Sequence, residues 1–311
     1  MQKLHLGAAQ CALDLGDGSE RAEYVNQDYI LHKLGRPHRA IGIMYTYYPH
    51  DKQWPQRISK ACKDMNITFQ WDYPYDDYFP FNADGQPWEQ MRDIRRHGQD
   101  AALTLTLDCS LSDDELREVA RMLRPYGRMT IRINHECSGT WFTHNKRFTY
   151  EQVGKFFAHF SDIIHQEAPN VRTVFCAGFA QADGKLEKED EFAVAYRAAD
   201  VWSADCYLAL HYGWPYDVAE VGGGQYKTDS VGMYYDLFRR TYERASSQFG
   251  AKPLVTAEFN TDGDVTGPRH QGESVIRFAE AFRDHQADWF KAISLYQFRD
   301  RGRLGLEIED P

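Results

Sequence analysis

Short apolar segments alternate with amphipathic segments along the whole chain. The apolar segments carry a period-two or continuous hydrophobic pattern and are predicted to be strands, while the segments between them are predicted to be helices. Alternation of this kind is typical of a parallel sheet with crossover helices. The strand candidates are Leu4–Gln10, Ala40–Tyr48, Ile67–Tyr73, Ala101–Asp108, Met129–Glu136, Val171–Ala177, Val201–Tyr207, Leu254–Glu258 and Ala292–Phe298.

The alternation predicts an α/β fold, a (β/α)8 TIM barrel. Such a barrel needs eight strands and runs to about 250 residues or more as one domain. The chain has 311 residues and no linker or low-complexity tract, so we expect residues 1–311 to form a single catalytic domain. We interpret Ala101–Asp108 as the one surplus strand, part of an excursion after Ile67–Tyr73. Two capping boxes, beginning at Ser112 and Thr149, are predicted to start helices.

Composition narrows the class of partner. The net charge is −10 and no basic stripe is visible, which argues against nucleic acid. Aromatic residues make up 14% of the chain, which suits a neutral ligand with stackable faces, such as a sugar. No apolar run approaches the ~20 residues that a membrane span needs. The six cysteines are scattered with no CxxC pair, and we expect Cys137, Cys176 and Cys206, in or at the ends of predicted strands, to be small buried hydrophobic residues, not disulfides or ligands.

No signal peptide is recognisable after Met1. We favour a secreted protein whose signal peptide is absent from this chain, with a cytoplasmic protein as the alternative. We expect the protein to be a monomer.

The stretch from Met129 to Phe142 concentrates polar residues where a strand ends. Ile131 and Ile133 alternate with Thr and Arg, and Asn134, His135 and Glu136 then follow together. Polar groups are costly at the end of a buried strand unless they find partners or water. A functional site supplies both. The competing interpretation is an interior salt bridge between Arg132 and Glu136.

Two glutamates fall at predicted strand ends on roughly opposite sides of one mouth. Glu136 follows the fourth barrel strand and Glu258 ends the seventh, and barrel enzymes form their sites at the carboxyl ends of strands. Glycosidic cleavage needs two carboxyl groups, one to protonate the leaving oxygen and one to attack or to activate water. We therefore interpret Glu136 and Glu258 as the catalytic pair.

The motif Arg132-x-Asn-His-Glu136-x-x-Gly139-x-Trp141-Phe142 resembles the strand-four motif of glycoside hydrolase family 26, which includes endo-β-mannanases. The Ile94-x-x-His-Gly98 segment with Asp100, and Lys252-Pro253 before the Glu258 strand, are similar to further family segments. The resemblance covers roughly residues 65 to 260. It implies a clan A (β/α)8 barrel and retaining chemistry. In that chemistry Glu136 is the acid/base, Glu258 is the nucleophile, His135 contacts the sugar and Tyr207 hydrogen-bonds Glu258.

The chain departs from the family where the substrate would lie. Many mannan-cleaving members carry further Trp residues after the Trp-Phe pair, whereas Thr143-His-Asn145 follows here, and Cys137-Ser138 replaces Met-Asn. The substrate is therefore left open among mannan, xylan, mixed-linkage glucan and a less common algal or bacterial glycan.

The function expected is a retaining endo-glycosidase acting on a β-linked polysaccharide or oligosaccharide. No cofactor and no metal site is predicted, since the histidines show no ligand spacing. The predicted substrate-binding residues, all at or just after strand ends, are Arg132, Asn134, His135, Trp71, Asp72, Tyr73, Trp141, Tyr207, Asn260, Tyr296 and Gln297.

Two alternatives stay open. A catalytically silent carbohydrate-binding barrel would be expected to have lost one of the two glutamates. An aldolase-like barrel would need a strand-end Lys or a metal cluster, and the strand ends carry neither.

Overall fold

A computed structural model gives the fold. It describes residues 5–6, 11–16, 25–35, 38–51, 53, 86–134, 136–139, 147–208, 231–261 and 268–298.

The described strands and helices alternate, as the sequence pattern predicts. The strands are β1 (His5–Leu6), β2 (Cys11–Gly16), β3 (Ala40–Tyr47), β4 (Asp100–Leu107), β5 (Met129–Ile133), β6 (Val171–Phe179), β7 (Val201–Tyr207), β8 (Leu254–Asn260) and β9 (Phe290–Leu295). The helices are α1 (Gln27–Leu34), α2 (Gln86–Arg96), α3 (Asp113–Leu123), α4 (Tyr150–Glu167), α5 (Ala193–Ala198), α6 (Val231–Phe249) and α7 (Pro268–Asp284). None of these helices is long and apolar enough to cross a membrane.

One closed sheet contains all of the described strands. Strands β2 to β9 pair in sequence order, each parallel to the next, and β2 also pairs with β9, which closes the barrel. β1 adds an antiparallel pairing to β2. The predicted (β/α)8 TIM barrel is confirmed.

The assignment of individual barrel strands was wrong in two places. The segment Ala101–Asp108 is not surplus, because β4 pairs with β3 along its whole length, from Ala40 opposite Asp100 to Tyr47 opposite Leu107. No strand lies between them, so β4 takes the place of the third barrel strand that was expected for Ile67–Tyr73, a segment outside the described residues. The first barrel strand is β2 rather than Leu4–Gln10, since β2 is the strand that pairs with both β3 and β9. A hydrophobic pattern identifies strands but not their neighbours.

The helices cover the barrel with apolar faces. In α4, Val153, Phe157, Phe160 and Ile164 recur at helical spacing and are all buried. Both predicted capping boxes are present and complete: the side chains of Ser112 and Thr149 each accept from the backbone N–H three residues on. These interactions fix where α3 and α4 begin.

Candidate active site

Three carboxylates converge at the carboxyl-terminal face of the barrel. Glu136 follows β5, Asp205 lies near the end of β7 and Glu258 near the end of β8. One oxygen from each lies within 4.8 Å of an oxygen from the other two. All three side chains are buried. Like charges this close in a buried setting cannot all ionise freely, so neighbouring groups must determine which carboxylates hold protons.

Glu258 is oriented by two donors. Arg132 Nη2 donates to Oε1 over 2.7 Å, and the Tyr207 hydroxyl donates to Oε2 over 2.9 Å. Each carboxylate oxygen thus has its own partner, and the guanidinium stabilises the negative charge. The predicted contact between Tyr207 and Glu258 is present, whereas the salt-bridge interpretation named the wrong partner: Arg132 pairs with Glu258 and lies 3.6 Å from Asp205 Oδ1.

Asp205 connects the other groups of the cluster. Its Oδ1 accepts from the backbone N–H of Glu258 over 3.1 Å, and its Oδ2 accepts from the Cys176 thiol over 3.3 Å. Burial, together with the charge of Glu258, raises the pKa of Asp205 to about 7 against the opposing effect of Arg132. Sequence analysis placed Asp205 at a strand end without giving it a role. Its spacing of two residues from Tyr207, which puts both on one strand face, is the signal that could have identified it.

Glu136 is the carboxylate that favours protonation. Burial raises its pKa well above the ordinary value, and the negative charges of Glu258 and Asp205 raise it further, with Arg132 opposing them. A hydrogen bond in which protonated Glu136 donates to Asp205 acts in the same direction. The site therefore combines a carboxyl group that retains a proton with a carboxylate held by a cation, which is the pairing that acid–base chemistry at a glycosidic bond requires.

The backbone after β5 aims Glu136 into this cluster. Asn134 and Glu136 have φ values of 51° and 46°, in the left-handed region that non-glycine residues seldom occupy. Strand alternation therefore ends at Ile133, before Asn134 and Glu136. Such conformations cost of order 1–3 kcal/mol each and persist where the surroundings enforce them.

Asn134 holds this turn. Its Oδ1 accepts from the backbone N–H of Leu107 over 2.6 Å, and its Nδ2 donates to Cys109 Sγ over 3.2 Å. The thiol of Cys137 donates to the Asn134 carbonyl. The Asn134 side chain is 1% exposed, so its amide is used within the protein instead of facing a cleft.

The remaining predicted site residues on β8 and β9 lie beside the cluster. Asn260 Nδ2 donates to the Tyr296 carbonyl over 2.6 Å, which ties the two strand ends together. The rings of Tyr207 and Tyr296 meet edge to face with centroids 6.4 Å apart. Gln297 is fully buried, and its side-chain amide forms no hydrogen bond with the residues that the structure describes. Trp71, Asp72, Tyr73, His135 and Trp141 lie outside the described residues, and their substrate-binding roles stay predictions.

Within the described part of the chain, two clusters have carboxylate or imidazole groups close enough to hold a cation. These are the three active-site carboxylates and a group of Asp28, Asp93 and His97. An arginine already contacts each: Arg132 bonds Glu258, and Arg96 bonds Asp28 over 2.9 Å and Asp93 over 2.8 Å. In both clusters a guanidinium supplies the compensating positive charge.

Solved structures share this fold at low sequence identity. The chain is 10% identical to a glycoside hydrolase family 26 β-mannanase from Bacteroides ovatus, with a TM-score of 0.51, covering 93% of this chain and 83% of that one. It is 10% identical to a family 39 glycoside hydrolase from Bacteroides cellulosilyticus, with a TM-score of 0.56, covering 95% of this chain and 59% of that one. A β-glucuronidase from Bacteroides uniformis gives 10% identity and a TM-score of 0.50, covering 96% of this chain and 31% of that one.

These structures are glycoside hydrolases of several families, and family 26 is not singled out among them. No protein-family model matches the chain. No curated protein matches it in sequence. The comparisons therefore show the barrel fold, and the activity has to be argued from the site.

Proposed function

We propose that the protein is a retaining glycosidase that hydrolyses a β-linked polysaccharide by double displacement, with Glu136 as acid/base and Glu258 as nucleophile. The observation that carries the proposal is the approach of a Glu136 oxygen to within 4.8 Å of a Glu258 oxygen. Retaining enzymes hold their carboxyl groups about 5–5.5 Å apart, whereas inverting enzymes need about 6.5–9.5 Å to admit a water. The nearest approach supports the retaining geometry.

The contacts of the two glutamates suit these roles. Glu136, with its raised pKa, gives its proton to the glycosidic oxygen as the bond to the anomeric carbon breaks. Glu258, held by Arg132 and Tyr207, attacks that carbon and forms a glycosyl ester. Glu136, now ionised, takes a proton from water, and the resulting attack releases the sugar and restores Glu258.

Asp205 serves as a positioning residue in this scheme. Its negative charge and its hydrogen bond with Glu136 favour the protonated form of the acid. Its bond to the backbone N–H of Glu258 fixes the nucleophile's main chain. One side chain thus favours the protonated form of Glu136 and holds the main chain of Glu258.

The substrate class rests on the motif as well as the site. The motif around Glu136 resembles that of family 26, and a β-mannanase of that family is among the similar structures. A family 86 enzyme bound to neoagarooctaose, an oligosaccharide, is another, with 10% identity and a TM-score of 0.50. We propose that the protein belongs to family 26 or to a related clan A family. We further propose that it cleaves internal bonds of mannan, xylan, mixed-linkage glucan or an algal or bacterial glycan.

The test is a screen of purified protein for reducing-sugar release from a panel of these polysaccharides. The control is Glu258→Gln, which keeps the shape of the side chain and removes the nucleophile. We expect release from at least one substrate by the native protein and none by the control. NMR of the first product should show the anomeric configuration of the substrate. Equal release by both proteins would overturn the assignment, and binding without release by the native protein would support a catalytically silent carbohydrate-binding barrel.

A further inference from the structure

Part of the interior of the lower half of the barrel, on β3 to β5, is lined by small side chains. Gly42 on β3 lies opposite Ala102 on β4, and Ala102 lies opposite Thr130 on β5, so three neighbouring strands present a row with little volume. Barrels of this type are normally filled by layers in which bulky branched residues dominate. Here a cavity of about 470 Å³ remains, with Ala292 and Ser294 of β9 among its other lining residues.

The cavity runs from the floor of the active site to the amino-terminal end of the barrel. Arg132 and Tyr296 line its upper part, beneath the catalytic carboxylates. Arg39, which precedes β3, and Arg172, the second residue of β6, line its lower part. The cavity therefore extends below the carboxylate cluster and has a polar end of its own.

The lower end carries unneutralised positive charge. Its one lining carboxylate, Asp100, is already engaged by Arg128 over 2.8 Å and by Arg95 over 3.2 Å. Arg172 donates only to backbone carbonyls, and no side-chain partner of Arg39 is found in the part of the chain that the structure describes. In a chain of net charge −10, the exposed guanidiniums of Arg39 and Arg172 place local positive charge at the lower end of the cavity.

We propose that this cavity binds an amphiphilic carboxylate, a medium-chain fatty acid in type. The carboxylate lies against Arg39 and Arg172, and the aliphatic chain runs along β3 past Gly42 toward Met44, where the small side chains of Ala102 and Thr130 leave room for it. Charge-assisted hydrogen bonds from guanidinium to carboxylate supply orientation, and burial of methylene groups supplies affinity. The proposal does not depend on the glycosidase activity, because neither Arg39 nor Arg172 belongs to the catalytic cluster.

The dimensions agree with this class of ligand. The wall from Ala40 to Met44 spans four residue steps, or about 13 Å at the rise of a parallel strand, roughly the length of an extended ten-carbon chain. The volume falls within the range of about 300–1,000 Å³ that is usual for small-molecule sites. Decanoate is therefore the probe of choice.

The experiment titrates the native protein with decanoate below its micelle concentration, by calorimetry and by thermal unfolding. Decanol, which lacks the carboxylate, tests whether binding needs the ligand's negative charge. Inorganic phosphate, which lacks an aliphatic chain, tests whether binding needs the apolar part of the ligand. We expect saturable binding of decanoate with a rise in melting temperature, at least tenfold weaker binding of decanol, and no comparable effect of phosphate. Absence of saturable decanoate binding, or equal binding of decanol or phosphate, would overturn the proposal.

Variants locate the site. Arg39→Gln and Arg172→Gln should each weaken decanoate binding about fivefold, while Arg277→Gln, an exposed arginine on α7, should leave it unchanged. Ala102→Leu fills the cavity and should abolish binding. If Ala102→Leu does not fold, Thr130→Leu fills the same row from the next strand. If Arg39→Gln, Arg172→Gln and a folded Ala102→Leu or Thr130→Leu variant all bind decanoate as the native protein does, the ligand lies elsewhere and the proposal is wrong.

Discussion

Arg132 Nη2 donates a hydrogen bond to Glu258 Oε1 over 2.7 Å, joining β5 to β8 across the barrel interior. Both side chains are buried, so their charges interact with little screening by water. Arg132 is also 3.6 Å from Asp205. One guanidinium therefore balances a cluster of three carboxylates, and removing it exposes that cluster to its own repulsion.

We expect Arg132→Met to destabilise the protein strongly at pH 7. Breaking a buried ion pair by removing one partner costs about 3–5 kcal/mol, because an uncompensated charge stays buried. The free energy of unfolding from urea titration measures the loss. The loss should shrink as the pH falls from about 7 to about 5, because Asp205, with a pKa raised to about 7, takes up its proton in that range and no longer adds to the uncompensated charge. Arg128→Met, which breaks an exposed pair with Asp100, is the control and should cost no more than about 1 kcal/mol. Similar losses in the two variants would refute the role given to Arg132.

We expect Asp205→Asn to shift the pH dependence of catalysis. The charge of Asp205 raises the pKa of Glu136, so its removal should lower that pKa and move the basic limb of the kcat/KM profile to lower pH. The conservative Asp205→Glu should restore part of the shift. A variant that loses activity equally at every pH, with an unmoved profile, would show that Asp205 acts only structurally.

The same substitution should change how stability depends on pH. Asp205 has a pKa raised to about 7 in the folded protein, so the unfolded chain releases this proton at lower pH than the folded one. Stability should therefore fall as pH rises from about 4 to about 7 by linkage. In Asp205→Asn this contribution is absent, and the difference in unfolding free energy between variant and native protein should change across that window. Parallel curves would contradict the raised pKa.

We expect Tyr207→Phe to lower kcat/KM by roughly 10–100-fold, because a hydrogen bond to a charged group is worth about 1.5–3 kcal/mol. The hydroxyl contacts Glu258 Oε2 and orients the nucleophile. Steady-state kinetics measures the effect. The matched control is Tyr196→Phe, which removes another buried hydroxyl whose partner is the Glu187 carbonyl, away from the site. Equal losses of activity in the two variants would point to general destabilisation.

The two glutamates should separate by role. Glu258→Ala should abolish turnover, since no covalent intermediate can form. Glu136→Ala should cost on the order of 10²–10⁴-fold, the usual contribution of general acid–base catalysis, and less on an aryl glycoside whose leaving group needs no proton. Added azide should rescue Glu136→Ala with a glycosyl azide of retained configuration and Glu258→Ala with an inverted one. The reverse pattern would show that Glu136 is the nucleophile and Glu258 the acid/base. Full activity in both variants would show that neither glutamate is catalytic.

The pattern of strands and helices was sufficient to predict a barrel, because strand and helix periodicities are local properties of the chain. It was not sufficient to order the strands. Ala101–Asp108 reads like any other strand, and only its full-length pairing with β3 shows that it is the third strand of the barrel. Neighbour relations in a parallel sheet depend on pairings made far along the chain, which a local pattern does not contain.

The candidate site divides in the same way. The convergence of Glu136 and Glu258 could be predicted from the sequence, since each lies at a strand end and the carboxyl ends of parallel strands share one face. The partner of Arg132 could not be predicted from the sequence, because Glu258 lies 126 residues away. Only closure of the barrel brings Arg132 Nη2 to 2.7 Å from Glu258 Oε1. The role of Asp205 and the left-handed backbone at Glu136 were likewise decided by tertiary structure. Protonation in a buried cluster depends on the distances between its charges, and only the folded chain determines these distances.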